Sequence, residues 1–166
     1  MQIPDTLLRH RIDGKFVDVR THEVFGGKRV VVFGLPGAFT PTCSTKQLPG
    51  FEKLYTDITT LGIDEIYCTS VNDSFVMDAW FNDLGIRYVK PFADGSGHFA
   101  AMMNMLVTKT NLGFGLRSWR YATIINNLEI ELMREEEGKR DDAEDDPFEI
   151  SNAEGILEYL KTHPTA

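Results

Sequence analysis

Apolar residues follow two rhythms along this chain. Arg29-Val-Val-Val-Phe-Gly-Leu35 is an unbroken β-branched run that reads as a buried strand, and Asp64-Glu-Ile-Tyr-Cys-Thr-Ser-Val71 reads the same way. Between them Leu48, Phe51, Leu54, Tyr55, Ile58 and Leu61 recur at helical intervals, which predicts one long helix over 44–61. A strand, a helix and a strand in this order form a βαβ crossover, so the two strands are expected to be parallel. Asn72-Asp73-Ser74 offers N-cap chemistry for a helix carrying Phe75, Val76, Ala79, Trp80 and Phe81 and ending near Gly85. A short strand over 86–92 and a helix over 97–106 follow. Beyond Gly113-Phe114-Gly115, the runs 121–126 and 128–133 meet at Asn126-Asn127, a hairpin signal because Asn tolerates positive φ. Ser151, with Glu154 three residues on, has the pattern of a capping box for a closing helix that turns Ile156, Leu157 and Leu160 inward. The succession β-α-β-α-β-α-β-β-α places the chain in the α/β class.

Composition narrows the field. A chain of 166 residues, 42% apolar, with no repeat or linker, is expected to form one domain over 1–166. No apolar stretch approaches the roughly 18 residues that span a bilayer, and the N-terminus lacks the apolar core of a secretory signal. Two cysteines cannot make a disulfide scaffold, so a reduced-thiol, cytoplasmic protein is expected, without membrane association. The formal charge of −8 argues against nucleic acid. Glu135–Asp146 holds eight acids against Lys139 and Arg140, and reads as a solvated loop. The four histidines lack ligand spacing, so no metal and no bound cofactor is expected.

The candidate chemistry lies in Pro36-Gly-Ala-Phe-Thr-Pro-Thr-Cys-Ser44, where the strand hands over to the helix. Free N–H groups and the helix dipole at that point favour a thiolate at Cys43. A cysteine is usually a small buried hydrophobe. Here, however, the neighbours Thr40, Pro41, Thr42, Ser44 and Thr45 are polar or turn-forming. Thr40 lies close enough to bond the thiol or a substrate oxygen, while Pro36 and Pro41 stiffen the loop and restrict water. Cys68, within the apolar run 66–71, reads as a packed core thiol, with a resolving role as its functional alternative. A low thiol pKa also needs a cation. Arg117-Ser-Trp-Arg120 opens the first hairpin strand, where a buried guanidinium requires an anion. Strand alternation puts Arg120 and Ala122 on one face and Tyr121 and Thr123 on the other.

Pro36-x-x-x-Thr40-x-x-Cys43 resembles the peroxiredoxin signature, in the form of the peroxiredoxin-five branch. Leu48-Pro-Gly-Phe51, Ser70-Val-Asn-Asp-Ser-Phe-Val76 and Gly113-Phe-Gly-Leu-Arg-Ser-Trp-Arg-Tyr121 extend the resemblance over roughly residues 14–162. The branch includes plant type-II enzymes and bacterial peroxiredoxin–glutaredoxin hybrids, and the hybrids look nearest. The resemblance implies a thioredoxin-like fold with a central mixed sheet flanked by helices. It implies that Cys43 attacks hydrogen peroxide or an organic hydroperoxide and becomes a sulfenic acid. Thr40 would bond the peroxide, Arg120 would stabilise thiolate and transition state, Pro36 would shield the sulfur, and Arg117 would support them. It also implies a homodimer formed through the active-site loops, with Phe39, Phe75 and Trp80 as candidate contacts.

Nothing after Cys68 can act as a C-terminal resolving cysteine. An external thiol is therefore expected to resolve the sulfenate, with glutathione and a separate glutaredoxin as reductant. A two-cysteine route through Cys68 with thioredoxin is the alternative, and a peroxide-sensing relay is another. A thiol–disulfide oxidoreductase would carry Cys-x-x-Cys, whereas Lys46 stands three residues after Cys43. A cysteine hydrolase would need a histidine base, and His10, His22, His98 and His163 lie in no partner motif.

Overall fold

The apolar runs on either side of the crossover become neighbouring strands at the centre of a five-stranded mixed sheet. In this computed structural model, which describes residues 1–165, the strands are β1 (Leu7–Ile12), β2 (Lys15–Arg20), β3 (Arg29–Gly34), β4 (Glu65–Ser70), β5 (Lys90–Ala93), β6 (Leu106–Thr108), β7 (Leu116–Ser118), β8 (Tyr121–Asn126) and β9 (Glu129–Glu135). The helices are α1 (Thr21–Phe25), α2 (Leu48–Lys53), α3 (Tyr55–Thr59), α4 (Ser74–Leu84), α5 (His98–Met102) and α6 (Ala153–Thr162). The central sheet runs β5-β4-β3-β8-β9. β3 is parallel to β4 and antiparallel to β8, with Phe33 opposite both Cys68 and Ala122.

Side-chain alternation on β3 splits the core in two. Val31 and Phe33 face α2, α3, α4 and α6, joining Phe51, Ile58, Met77, Trp80, Ile156 and Leu160. Val30 and Val32 face the other layer, with Phe25, Phe92, Phe99, Trp119 and Tyr121. The chain thus has the expected thioredoxin-like α/β architecture, a mixed sheet flanked by helices.

Several local expectations change. The helix over 44–61 is broken. Cys43–Gln47 is a π-helical turn in which the Leu48 amide bonds the Cys43 carbonyl, and Leu54, at φ −96° and ψ 9°, separates α2 from α3. Pro49 explains the wide turn, because it lacks an N–H and its ring crowds the carbonyl four residues earlier. The strand over 86–92 starts only at Lys90, since the Glu52 carboxylate takes up the amides of Arg87, Tyr88 and Val89. The helix over 97–106 is α5 alone, stopped where Asn104 turns to φ 60°. The last hairpin turns at Asn127-Leu128, both at positive φ, one residue later than expected. Asn152 caps α6 by accepting from Gly155, while Ser151 donates to buried Glu136 instead. The N-terminal hairpin β1–β2 was not anticipated, although Asp13-Gly14, with φ of 52° and 79°, is a strong turn signal.

Candidate active site

Cys43 sits where β3 ends and helical structure begins. The Ser44 amide bonds the Thr40 carbonyl at 2.9 Å, which makes Thr40 the residue that opens the helix and puts the thiol in its first turn. The loop before it is fixed from three sides. Asn72 accepts from the Ala38 amide at 3.0 Å, Arg117 Nη1 donates to the Pro36 carbonyl at 3.2 Å, and the Thr40 hydroxyl donates to the Gly37 carbonyl at 2.7 Å. Phe39 is held at φ 65° with its ring exposed. The helical side is pinned by the Trp80 indole, which donates to the Ser44 hydroxyl at 2.8 Å. Cys43 and Pro36 are buried.

The cation comes from the far side of the sheet's midline. Arg120 precedes β8, on the same face as Ala122, and its side chain is wholly buried. Its Nη1 donates to Cys43 Sγ at 3.4 Å and to Gln47 Oε1 at 2.6 Å. Its Nε and Nη2 form a fork on the two carboxylate oxygens of Asp146, at 3.2 and 2.7 Å. Burial works against its charge, but the Cys43 sulfur and the Asp146 carboxylate more than offset that and push its pKa up. Such a two-pronged contact fixes the plane of the guanidinium as well as its position.

A close backbone approach sets this register. Gly34 lies opposite Tyr121, and a Cβ at Gly34 would stand 2.2 Å from the Tyr121 ring. Only glycine lets Tyr121, and with it Arg120, lie so near β3. Arg117 is half-buried beside the loop, its Nε donating to the Phe114 carbonyl at 3.1 Å, so it braces Pro36.

Thr40, Cys43, Pro36, Arg117 and Arg120 therefore come together as the sequence suggested. Cys68 lies in the same core layer as Cys43, buried in mid-strand, and both thiols are free. Burial, and then the nearby Cys43 charge, push the Cys68 thiol well up. Trp80 is fully buried, which removes it from the candidate dimer contacts, whereas Phe39 and Phe75 are exposed. Among the described residues, no cluster of His, Cys, Asp or Glu could hold a metal ion, and no helix is long and apolar enough to cross a membrane.

Two residues of the site escaped the sequence reading. Gln47 was legible in principle, since it lies one turn after Cys43 on the same helical face. Asp146 was hidden in the acidic run. That run is no free solvated loop: Asp141 accepts from the Thr108 amide, Asp142 accepts from Thr110, and Ala143 is buried. Glu136 anchors its far side by accepting the amides of Glu149, Ile150 and Ser151.

Comparison with known proteins places this geometry among relatives. The Redoxin family model matches residues 1–157. A peroxiredoxin of Sinorhizobium fredii is 56% identical over 150 residues, covering 90% of this chain and 80% of that protein. A hybrid peroxiredoxin of Haemophilus influenzae is 44% identical over 159 residues, covering 96% of this chain and 64% of its own length, so the hybrid is not the nearer of the two. Among solved structures, an antioxidant protein of Plasmodium falciparum, described as a 1-Cys peroxiredoxin, has a TM-score of 0.92 at 36% identity, with 98% of each chain covered.

Proposed function

The chain belongs to the Redoxin family as a peroxiredoxin, a thiol-dependent peroxidase, and on that premise we propose that it works by a one-cysteine mechanism completed by glutathione and a glutaredoxin. The observation that carries the one-cysteine reading is Cys68, fully buried in mid-strand with its thiol pKa pushed well up, while the Arg120 guanidinium at 3.4 Å from Cys43 Sγ marks the reactive thiol.

In the first step, the Cys43 thiolate attacks one oxygen of hydrogen peroxide or an organic hydroperoxide. The S–O bond forms as the O–O bond breaks, and the departing oxygen leaves as water or an alcohol after taking a proton. Negative charge grows on that oxygen, so donors fixed beforehand favour the transition state over the ground state. Arg120, the Cys43 amide and the Thr40 hydroxyl are the donors at hand. Thr40 would have to exchange its bond to Gly37 for one to substrate. Pro36 shields the sulfur. In the second step, an external thiol attacks the sulfenic sulfur, water leaves, and a mixed disulfide forms for a further thiol to reduce.

Cys68 is the less suitable resolving thiol. It lies on a central strand with hydrogen-bonded neighbours on both sides, and its raised pKa leaves little thiolate to attack. The 1-Cys description of the Plasmodium relative favours the same choice. Exposed Phe39, in the loop before Cys43, and exposed Phe75, in the first turn of α4 beside Phe16, support a homodimer through these loops. Unpaired thiols suit a reducing, cytoplasmic setting.

Rapid mixing with hydrogen peroxide tests the assignment. Consumption is expected in wild type and in Cys68→Ser, sustained by glutathione with glutaredoxin, and lost in Cys43→Ser. Unchanged consumption in Cys43→Ser, or loss of sustained turnover in Cys68→Ser, contradicts it.

A further inference from the structure

Glu136, which anchors the acidic segment, also grips the main chain of the reactive arginine. It follows β9 with its side chain buried, and its carboxylate gathers three consecutive amides, those of Glu149, Ile150 and Ser151, at 2.8 to 3.0 Å. The Ser151 hydroxyl adds a fourth donor at 2.6 Å. Several N–H groups turned onto one anion fix the backbone that carries them. The Glu136 amide meanwhile donates to the Arg120 carbonyl at 3.1 Å, and the Glu136 carbonyl accepts from the Trp119 indole at 2.7 Å.

Gln47 joins these two ends. Its Nε2 donates to the Ser151 carbonyl at 3.2 Å, and its Oε1 accepts from Arg120 Nη1. Only one orientation of this amide is possible, because a carbonyl only accepts and a guanidinium only donates. The bonds close a ring: from the Arg120 guanidinium through Gln47, Ser151 and the Glu136 carboxylate, then through the Glu136 amide back to the Arg120 carbonyl. Arg120, Gln47 and Ser151 are wholly buried and Glu136 is 1% exposed, so solvent does not compete for these bonds. In such a ring each bond directs the next, and a displaced member leaves its neighbour without a partner.

We propose that Glu136 is a positioning residue for the peroxide reaction. By holding Ser151 it turns Gln47, and Gln47 aims Arg120 Nη1, the nitrogen that also reaches Cys43 Sγ. Glu136 itself bonds neither the sulfur nor the guanidinium. Its action is separate from the Asp146 fork, which grips the opposite edge of the guanidinium through Nε and Nη2. The inference rests on the peroxidase reading of Cys43.

A double-variant cycle in a Cys68→Ser background tests it. Glu136→Gln keeps the shape but turns two donors toward a set of groups that are themselves donors. The peroxide rate, read at a pH where the thiolate is saturated, is expected to fall about tenfold, less than for loss of an aligned donor itself. Gln47→Met cuts the ring at its middle and is expected to cost at least as much. The double variant then stays within about threefold of the slower single variant, because the link through which Glu136 acts is already gone. Alkylation of Cys43 by iodoacetamide needs the thiolate but no donor on a departing oxygen, so its rate stays within about threefold of the parent throughout. Losses that multiply in the double variant overturn the proposal, as does a Glu136→Gln peroxide rate within about threefold of the parent. Peroxide and alkylation rates that fall in step, the outcome of a merely structural role, overturn it too.

The NMR resonance of the Arg120 Nε–H reads the same cycle without peroxide. It is expected to move in Glu136→Gln, and that substitution is expected to leave it in place in the Gln47→Met background. If the parent ignores peroxide while the resonance still shows this coupling, the peroxidase reading has failed and the alignment of Arg120 by Glu136 stands. A resonance that ignores Glu136 overturns the alignment whatever the rates. Glu136→Asp, which keeps the charge on a shorter arm, replaces Glu136→Gln with the same expectations if the latter does not fold.

Discussion

Arg120→Lys separates the charge of the arginine from its geometry. The ammonium keeps the positive charge near Cys43, but a single nitrogen cannot replace the three that Arg120 uses on Cys43, Gln47 and Asp146. The 3.4 Å approach to sulfur and the 2.6 Å bond to Gln47 share one nitrogen, Nη1. Its direction is set by the fork on Asp146 at the opposite edge of the guanidinium. A lysine can satisfy the carboxylate or the sulfur side, and either choice leaves the departing peroxide oxygen without its aligned donor. Loss of one preorganised donor of this kind costs about 3 kcal/mol, or about a hundredfold in rate. Stopped-flow measurement of the second-order peroxide reaction at saturating thiolate isolates that loss, because ionisation of Cys43 no longer limits the rate there. A rate within about threefold of wild type would refute the geometric role and leave Arg120 as a charge alone.

Two further outcomes follow from the fold. Gly34→Ala places a methyl group within 2.2 Å of the buried Tyr121 ring, so urea unfolding should show a loss of about 2 to 3 kcal/mol, and the peroxide rate should fall with it as the start of β8 is displaced; an unaffected variant contradicts the claimed close approach. Asp94 is buried, and burial raises its pKa to about 6 against the amides of Phe99 and Ala100. The folded state therefore holds this proton more tightly than the unfolded chain, so its contribution to stability is greatest below the ordinary carboxylate pKa and is lost as pH rises through about 6. His10, whose pKa is lowered first by burial, acts in the opposite sense as pH falls below its ordinary range. Comparing urea unfolding of wild type and Asp94→Asn from pH 4 to pH 7 isolates the Asp94 part, on the order of 2 kcal/mol; identical slopes contradict it.

The sequence was most readable where local and tertiary preferences agree. The runs at 29–35 and 64–71 became β3 and β4 because β-branched residues buried on both faces have few alternatives to a central strand. Asp73 and Gly85 bound α4 as expected, since a side-chain cap and a left-handed glycine are local chemistry. Apolar spacing alone predicts one helix over 44–61, because it does not register the missing N–H of Pro49 or the break at Leu54. In the site, the loop from Pro36 to Cys43 was visible in its own residues. The partner of Arg120 was not, because pairing across 26 residues depends on how the acidic segment folds back over β6. Solvated charge is the ordinary fate of such a run, and only the Glu136 anchor and the docked Asp141 and Asp142 overrule it here.

The central claim, that Cys43 reacts with peroxide and then awaits a thiol from outside, is tested most directly by mass spectrometry. The reduced protein is treated with one equivalent of hydrogen peroxide and trapped within seconds. One added oxygen confined to the peptide bearing Cys43, with Cys68 still a free thiol, is the predicted result. Loss of two hydrogens through a Cys43–Cys68 disulfide, or an unmodified Cys43, would contradict it.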